Sequence, residues 1–516
     1  MIAAFLLLPD DALLYVFGLL QYADLLALQI TCSRIYTLIL NSAVLQYNIE
    51  LAACGMIDGG TTIDTQERLQ RLRTYTLAWR TLGWADHNAL TFVTEYLSRY
   101  SNSGSVIGYH GTDSTHRRRE IKMTQLPSKL RGVRERRADL DAFMYARDVL
   151  VDASQDLVVY TPPGIPPLLN AGGYYFRSLS TGEPHGLACS PGSVEPGEPQ
   201  VPRLRIALDI CGDYILENVE RESRVRQLSV WNWKTGAVEV YIPRGDMEIN
   251  SGRFLDAHHL LFERARDPTS PRDRQGPAYL QVIAWRTPGA PLHTFLFPEF
   301  MQDRAHVSFE LSPAQHSSRG DGCFFPDPTN RLISARAIVA TATAPRVRYR
   351  KFHVDIPTRT LLSYVADHPS EDSVIVPWDA WGPRGTRATP AQPSDRPLRP
   401  FMVAVAVDGM RRVSLHTAPD SQETTLTILD YHPRRVARAA GGRAVVEGGV
   451  IEAGLTGDGF GEVRTRLPCI VSELPLPAAL AGLAVSPGGV GLCTDGLLFF
   501  ERDTGDHLEN VWAYTF

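Results

Sequence analysis

Lysine is nearly missing from this chain of 516 residues: of its 52 lysines and arginines only Lys122, Lys129, Lys234 and Lys351 are lysines, and none precedes Lys122. Codon usage accounts for such a bias without any functional demand, and arginine keeps the charge while lacking a nucleophilic amine. An excess of positive charge is also missing. The formal net charge is −5, which argues against a nucleic-acid partner held by global charge. Cysteine is sparse, odd in number and widely spaced: Cys32, Cys54, Cys189, Cys211, Cys323, Cys469 and Cys493, with no CxxC. That pattern fits a reduced intracellular chain and neither a disulfide framework nor a zinc module.

A long uninterrupted apolar run is absent too. Of the first 30 residues 23 are apolar, but Pro9, Asp10, Asp11 and Asp24 cut the runs and the first basic residue is Arg34. A secretory signal needs a positive start and a spanning helix needs about 18 to 20 uncharged apolar residues. No membrane partner is therefore expected, and the expected compartment is the cytoplasm, the nucleus or both. Catalytic signatures are lacking as well: HExxH, GxSxG and the P-loop do not occur, and no Cys/His cluster has zinc spacing. The run Gly457-Asp458-Gly459-Phe460-Gly461 precedes a strand-like segment, so it has no helix behind it to cradle phosphate. His258 and His259 near Asp256 form the best acid/base or metal cluster, but adjacent strand residues point to opposite faces. No catalytic residue, metal or cofactor is expected.

What is present is ample core material, with 44% of residues apolar and 21% charged. The length suggests roughly three domains at about 150 residues each, or fewer if a large all-β architecture takes most of the chain. At the start, Pro9 suits a first helical position, Asp10 and Asp11 favour its first turn, and Leu13, Val16, Phe17 and Leu20 fall on one face. Asp24 suits the cap of a second helix striped by Leu25, Leu28, Cys32 and Ile35; a third follows with Leu38, Ile39, Leu45 and Ile49. A unit of some 50 residues cannot bury so much apolar surface alone, so it needs a partner: another protein or the rest of the chain.

The segments Leu8-Pro9-x-Asp11-x-Leu13-Leu14-x-Val16-Phe17, Asp24-Leu25-Leu26-x-Leu28 and Cys32-Ser33-Arg34 resemble the F-box. Leu45-Gln46-Tyr47-x-Ile49-Glu50-Leu51 with Gly55-Met56 resembles the extension of a fungal F-box group, as do Asp152-x-x-Gln155-Asp156-Leu157 and Trp381-Gly382-Pro383-Arg384-x-Thr386-Arg387. The resemblance implies binding to the Skp-type adaptor of a cullin-RING ubiquitin ligase, with Leu8, Pro9, Leu13, Leu14, Val16, Phe17, Leu20, Leu25 and Leu28 as the adaptor-binding set. Some of these must also form the unit's own core, and spacing alone does not divide them. The implied role is that of a non-catalytic substrate receptor for an unknown target protein.

After Gly59-Gly60, Asp64 or Thr65 can cap a linking helix to about Leu82, with Leu69, Leu72, Tyr75 and Trp79 on one face and Arg68, Arg71, Arg73 and Arg80 mostly around the other, read as solvated. From about residue 86 the pattern is short strands between Gly, Pro, Asp and Ser clusters. A strand ending in a turn recurs at Arg177 to Gly182, Val230 to Gly236 and Phe500 to Gly505. Weaker copies run from Ile283 to Gly289, His353 to Thr358 and Ile428 to Pro433. Trp231-Asn232-Trp233 resembles the Trp-Asp end of WD-type blades. A spacing of roughly 50 to 75 residues suits propeller blades with inserted loops. The run from Ile107 to Val151 is a candidate seventh blade, closing with Val511-Trp512-Ala513-Tyr514. Proline-rich loops at 183–203 and 383–400 and a basic run from His116 to Arg137 read as solvated.

The expected architecture is therefore an α+β multidomain chain: a helical domain at 1–58, a linking helix at 59–85 and a β-propeller at 86–516, with seven blades within a range of six to eight. A pair of β-sandwiches is the competing fold. A propeller hydrolase or lyase braced by the helices, or an adaptor-bound scaffold that is not a ligase, are the competing functions.

Overall fold

The computed structural model of the chain describes residues 7–94, 100–112, 119–141, 149–160, 174–189, 203–221, 226–242, 249–264, 279–287, 289–298, 305–311, 322–343, 346–369, 372–390, 405–417, 424–439, 445–447, 449–451, 463–476, 490–502 and 508–516. Four short helices open it: α1 (Asp10–Gly18), α2 (Tyr22–Gln29), α3 (Ser33–Asn41) and α4 (Ala43–Cys54). Pro9 sits one position outside α1, with Asp10 and Asp11 in its first turn. Gln21 is the residue before α2, which puts Asp24 inside the first turn instead of at the cap. The apolar stripe expected along one second helix is shared between α2 and α3, because the chain leaves the helix after Gln29 and Cys32 precedes α3. The expected third helix is likewise two, broken at Ser42, whose hydroxyl accepts from the Leu45 amide at 3.4 Å and starts α4. Gly55 ends α4 at φ +64°, and the short strand Met56–Asp58 follows. Helix α5 (Thr65–Thr81) is capped by Asp64, whose carboxylate accepts from the Gln66 amide at 2.9 Å.

Seven sheets then form the blades of a ring. Blade 1 holds Tyr100–Ser103, Val106–Thr112, Arg119–Gln125 and Arg136–Asp141; blade 2 holds Val149–Asp152, Leu157–Tyr160 and Tyr175–Ser178. Blade 3 holds Arg203–Cys211, Tyr214–Arg221, Arg226–Asn232 and Val238–Ile242; blade 4 holds Ile249–Phe254, His259–Arg264, Tyr279–Ala284 and Leu292–Leu296, with Val374–Val376 added outside. Blade 5 holds Ala305–Leu311, Leu332–Thr343, Arg346–Pro357 and Arg387–Pro390; blade 6 holds Val405–Asp408, Arg411–Thr417, Thr424–Asp430 and Cys469–Pro475, with Val445–Val446 outside. Blade 7 joins Val490–Cys493, Gly496–Arg502 and Leu508–Thr515 to Asp86–Thr94 from the start of the ring. Closure is thus made by the first strand after α5, not by the run from Ile107 to Val151, which is divided between blades 1 and 2.

The packing explains why these strands read as near-continuous apolar runs. A blade is covered on both faces, and successive residues point to opposite faces. In Leu157–Tyr160, Leu157 and Val159 enter the core against blade 3, while Val158 and Tyr160 enter the core against blade 1. Leu498 and Phe500 likewise face blade 1, and Leu497 and Phe499 face blade 6. Each of the seven gaps between blades holds such a cluster. Side chains stitch the inner strands to neighbouring main chain: the Val151 amide donates to Ser101 Oγ at 3.1 Å, and Asn102 Nδ2 to the Leu492 carbonyl at 2.9 Å. This arrangement is a ring and not a pair of sandwiches.

The expected turns divide. Gly182, Gly236 and Gly289 take φ of +74°, +76° and +72°, which only glycine adopts freely. The units ending at Thr358 and Pro433 instead run into helices, α6 (Thr358–Asp367), followed by α7 (Trp378–Gly385), and α8 (Pro433–Ala439). The run Gly457 to Gly461, the turn residues 503–505, the loop residues 190–200 and 391–400, and residues 116–118 of the basic run lie outside the described residues.

On the face formed by the first hairpin of each blade, Arg131 and Asp495 form an ion pair at 2.6 Å that is almost wholly inaccessible to water. Arg131 Nε also donates to the Phe324 carbonyl at 2.7 Å. The pair links blade 1, blade 7 and the blade 5 connection. Removing one partner leaves a buried charge unpaired. We expect Asp495→Ala to destabilise the fold by about 3–5 kcal/mol and Arg131→Met with Asp495→Leu to cost less. Chemical denaturation of both variants checks this.

Candidate functional site

The helical unit closes its own small core from Leu13, Phe17, Leu25, Ile35, Ile39, Leu45 and Ile49. Of the adaptor-binding set read from the sequence, Leu13, Phe17 and Leu25 are therefore interior, Leu14, Leu20 and Leu28 are half-buried against them, and Leu8, Pro9 and Val16 are exposed. The structure brings the nine residues into one unit but leaves only the last three exposed.

The larger outward apolar residues are others. Tyr15 is 74% exposed, Leu19 72% and Ile30 87%, and Leu26, Tyr36 and Leu40 are also exposed. Tyr15 and Leu19, Leu26 and Ile30, and Tyr36 and Leu40 each stand four apart, so each helix turns a second apolar edge to solvent. Fully burying one such side chain is worth roughly 1.5–3 kcal/mol. The start of α1 is held in place by Arg34, which donates to the Leu8 carbonyl at 2.8 Å and pairs with Asp10 at 2.5 Å. Arg34 therefore ties the Leu8-Pro9 turn to α3.

Helices α4 and α5 carry this unit onto the ring. Strand Met56–Asp58 pairs antiparallel with Phe324–Pro326 of blade 5's first connection. The Tyr47 hydroxyl lies 3.0 Å from the Asp58 carboxylate and 2.9 Å from the Cys323 carbonyl, two acceptors for its single proton. The Arg68 guanidinium pairs with Asp58 at 2.6 Å and lies over the Tyr47 ring. Arg71 pairs with Glu67, and Arg73 lies 3.5 Å from Glu50. Three of the four arginines of α5 thus face carboxylates, while Arg73 and Arg80 remain exposed to solvent.

At the far end of α4, the last carbonyls carry the negative end of the helix dipole. Arg434 donates to the Ala52 carbonyl at 2.9 Å and Arg435 to the Cys54 carbonyl at 2.5 Å, while Arg438 pairs with Glu50 at 2.6 Å. Asp430 holds Arg435 at 2.7 Å and Arg411 at 3.5 Å, and Arg411 stacks on Trp79 of α5. His432 is pressed against Gly55, where a Cβ would lie 2.5 Å from its Nε2. Burial, and then the neighbouring Arg435, push His432 down to a pKa of about 3.

The Asp256 carboxylate accepts from the His258 and His259 amides at 2.7 Å each and faces His259 Nδ1 at 3.0 Å, which closes a hairpin turn. Among the described residues, no group of three or more His, Cys, Asp or Glu side chains could hold a metal ion, and no helix is long and apolar enough to cross a membrane.

Residues 5–49 match the family model described as F-box-like. The chain carries an F-box-like domain followed by a seven-bladed β-propeller. No curated protein sequence matches it. Among solved structures it is similar to the WD40 domain of SCAP from fission yeast, at 7% identity and a TM-score of 0.32 over 83% of this chain and 98% of that one. U3-55K gives 7% and 0.38 over 84% and 99%, and the polysaccharide lyase Uly1 7% and 0.41 over 85% and 94%.

Two outcomes test the seat of α4. Gly55→Ala places a Cβ at positive φ and against His432, and it should destabilise the protein by at least about 1 kcal/mol in denaturant titrations. His432 is protonated near pH 6.5 when unfolded and only near pH 3 when folded, so between these values the unfolded chain binds the extra proton. Its contribution to stability is complete above about pH 6.5 and is lost as pH falls toward 3. His432→Gln should flatten this part of the melting-temperature profile, and an unchanged slope would remove His432 from the account.

Proposed function

We propose that this chain is the substrate-recognition subunit of an SCF-type (Skp-cullin-F-box) E3 ubiquitin ligase. The observation that carries the proposal is the outward apolar set on α1–α3, in the segment that matches the F-box-like family, on a unit whose internal core is already complete without it. Such a surface suits the Skp-type adaptor. The anchors are Leu8, Pro9 and Val16 from the expected set, joined by Tyr15, Leu19 and Ile30, with Leu14, Leu20 and Leu28 partly accessible behind them. Leu13, Phe17 and Leu25 act through the shape of the unit.

The propeller presents the target protein, and the chain catalyses nothing itself. Ligation is promoted by proximity: a target held on the ring meets the conjugating enzyme at high effective concentration. The seat of α4 and α5 serves this by fixing the adaptor-facing helices relative to the blades. A brace for a propeller enzyme would also dock onto the blades, as α4 and α5 do, but it has no use for an exposed apolar edge on α1, α2 and α3. The reading places the protein in the cytoplasm, the nucleus or both.

Tyr15→Asp with Leu19→Asp and Ile30→Asp should abolish co-purification with a Skp-type adaptor while leaving the melting temperature within a few degrees of the parent. Retained adaptor binding would overturn the proposal. Phe17→Ala, by contrast, should cost about 3–5 kcal/mol and tests folding of the unit. Reconstituted ubiquitin transfer separates a ligase receptor from an adaptor-bound scaffold.

A further inference from the structure

The outer strands of the blades are not treated alike. On blade 4, Val374–Val376 adds in parallel to the last strand, pairing His293 with Val374, Thr294 with Ile375 and Phe295 with Val376. On blade 6, Val445–Val446 adds to Cys469–Pro475. On blade 3 the last strand, Val238–Ile242, pairs with Arg226–Asn232 on one side, and among the described residues nothing pairs with its other side. Open edges are usually guarded by lysine, proline, a bulge or a covering segment. This one reads Val-Glu-Val-Tyr-Ile; among the described residues the only guards on it are the exposed charge of Glu239 and the bulge that Glu239 makes opposite Val230 and Trp231, and Val238 and Tyr241 are exposed.

Beside it opens a cleft of about 590 Å³ between blades 3 and 4, whose lining includes Tyr214, Glu239, Val240, Tyr241, Trp285 and Arg286. The Arg286 guanidinium lies 4.6 Å from the Tyr214 ring centre and 5.0 Å from that of Trp285. Two aromatic faces thus fix an exposed cation, and among the described residues no carboxylate pairs with it. An aromatic floor, a fixed cation and an unpaired strand edge converge within one blade width.

We propose that the blade 3 edge is a docking site for an extended acidic peptide of a partner protein, which adds as a strand to Val238–Ile242, seats an apolar side chain in the cleft and places a carboxylate on Arg286. Strand addition draws its affinity from main-chain bonds and its specificity from pockets for alternate side chains. The five residues offer an edge of about 17 Å. The chain uses the same mode on itself at the neighbouring blade. The inference does not depend on the ligase reading.

The probe is a displayed library of random twelve-residue peptides selected on the full chain. Selected peptides should share Asp or Glu spaced from a bulky apolar residue. Arg286→Glu, and separately Val238→Lys with Tyr241→Lys, should each weaken the best synthetic peptide at least tenfold at an unchanged melting temperature. N-methylation at alternate peptide bonds should weaken it similarly. No shared acidic pattern, equal binding by the variants, or full tolerance of N-methylation would overturn the proposal. So would a concentration-dependent dimer of the parent that the lysine pair abolishes, because the occupant would then be a second copy.

Discussion

Ring closure is the constraint on which the rest of this structure depends. Asp86–Thr94 pairs with Leu508–Thr515, so the last blade exists only when both ends of the propeller meet. Helix α5 delivers the first of those ends. It finishes at Leu82 in a left-handed turn with φ +49°, a conformation that costs a non-glycine residue roughly 1–2 kcal/mol. The surroundings over-determine it: the Gly83 amide bonds to the Ala78 carbonyl at 3.1 Å and the Ala85 amide to the Thr515 carbonyl at 2.9 Å. Trp84 stacks on Phe516, and Trp79 and Tyr75 close around the same ring. The Tyr75 hydroxyl donates to the Thr494 carbonyl of blade 7. One helix therefore covers the seam of the ring and starts the strand that closes it.

This geometry joins two tasks that could have been separated by a flexible linker. The residues that cover the seam also belong to the core that holds Tyr47, Leu51 and Cys54 of α4. Any rocking of α4 would open that shared core and disturb the closing blade. The outward apolar set on α1–α3 is thereby held by the same contacts that keep the propeller shut. Stiffness of this kind sets the effective concentration of anything the ring carries.

Periodicity showed the existence of the helices and strands because it reports burial. For the same reason it did not separate the unit's interior from its exposed edge. The stripe of Leu13, Val16, Phe17 and Leu20 is mostly the face the unit buries in its own core; Tyr15 and Leu19 lie off it. When both edges of a helix are apolar, spacing finds the interior and leaves the exposed edge unmarked. The break at Ser42 was hidden because apolar residues continue across it on both sides. The blades were legible through glycine turns such as Gly182 and Gly236. Closure was not, since Asp86 and Thr515 are joined by hydrogen bonds that no local pattern encodes. The two turn-like units that became helices, at Thr358 and Pro433, share with true turns the proline and polar residues that also begin helices.

The shortage of lysine acquires a structural side. Arg131 reaches the Phe324 carbonyl and Asp495 with separate nitrogens. Arg331 donates to the Phe254 and Leu255 carbonyls at 3.0 and 2.8 Å, and Arg387 reaches the Val446 and Leu467 carbonyls. Arg435 spans Asp430 and the end of α4. Each ties the connections or added strands of two elements together, Arg131, Arg331 and Arg387 from buried positions and Arg435 from a mostly buried one. A planar guanidinium has five donors in a fixed fork and is weakly hydrated, so it tolerates burial and satisfies two acceptors at once; a compact ammonium does neither as well. At Arg131 and Arg435, where separate nitrogens serve separate partners, the fork geometry favours arginine whatever the codon usage. Exposed arginines such as Arg80 and Arg136 have no such account. Composition supplied arginine throughout, and the fold depends on it where blades, connections and helices must share a polar joint without water.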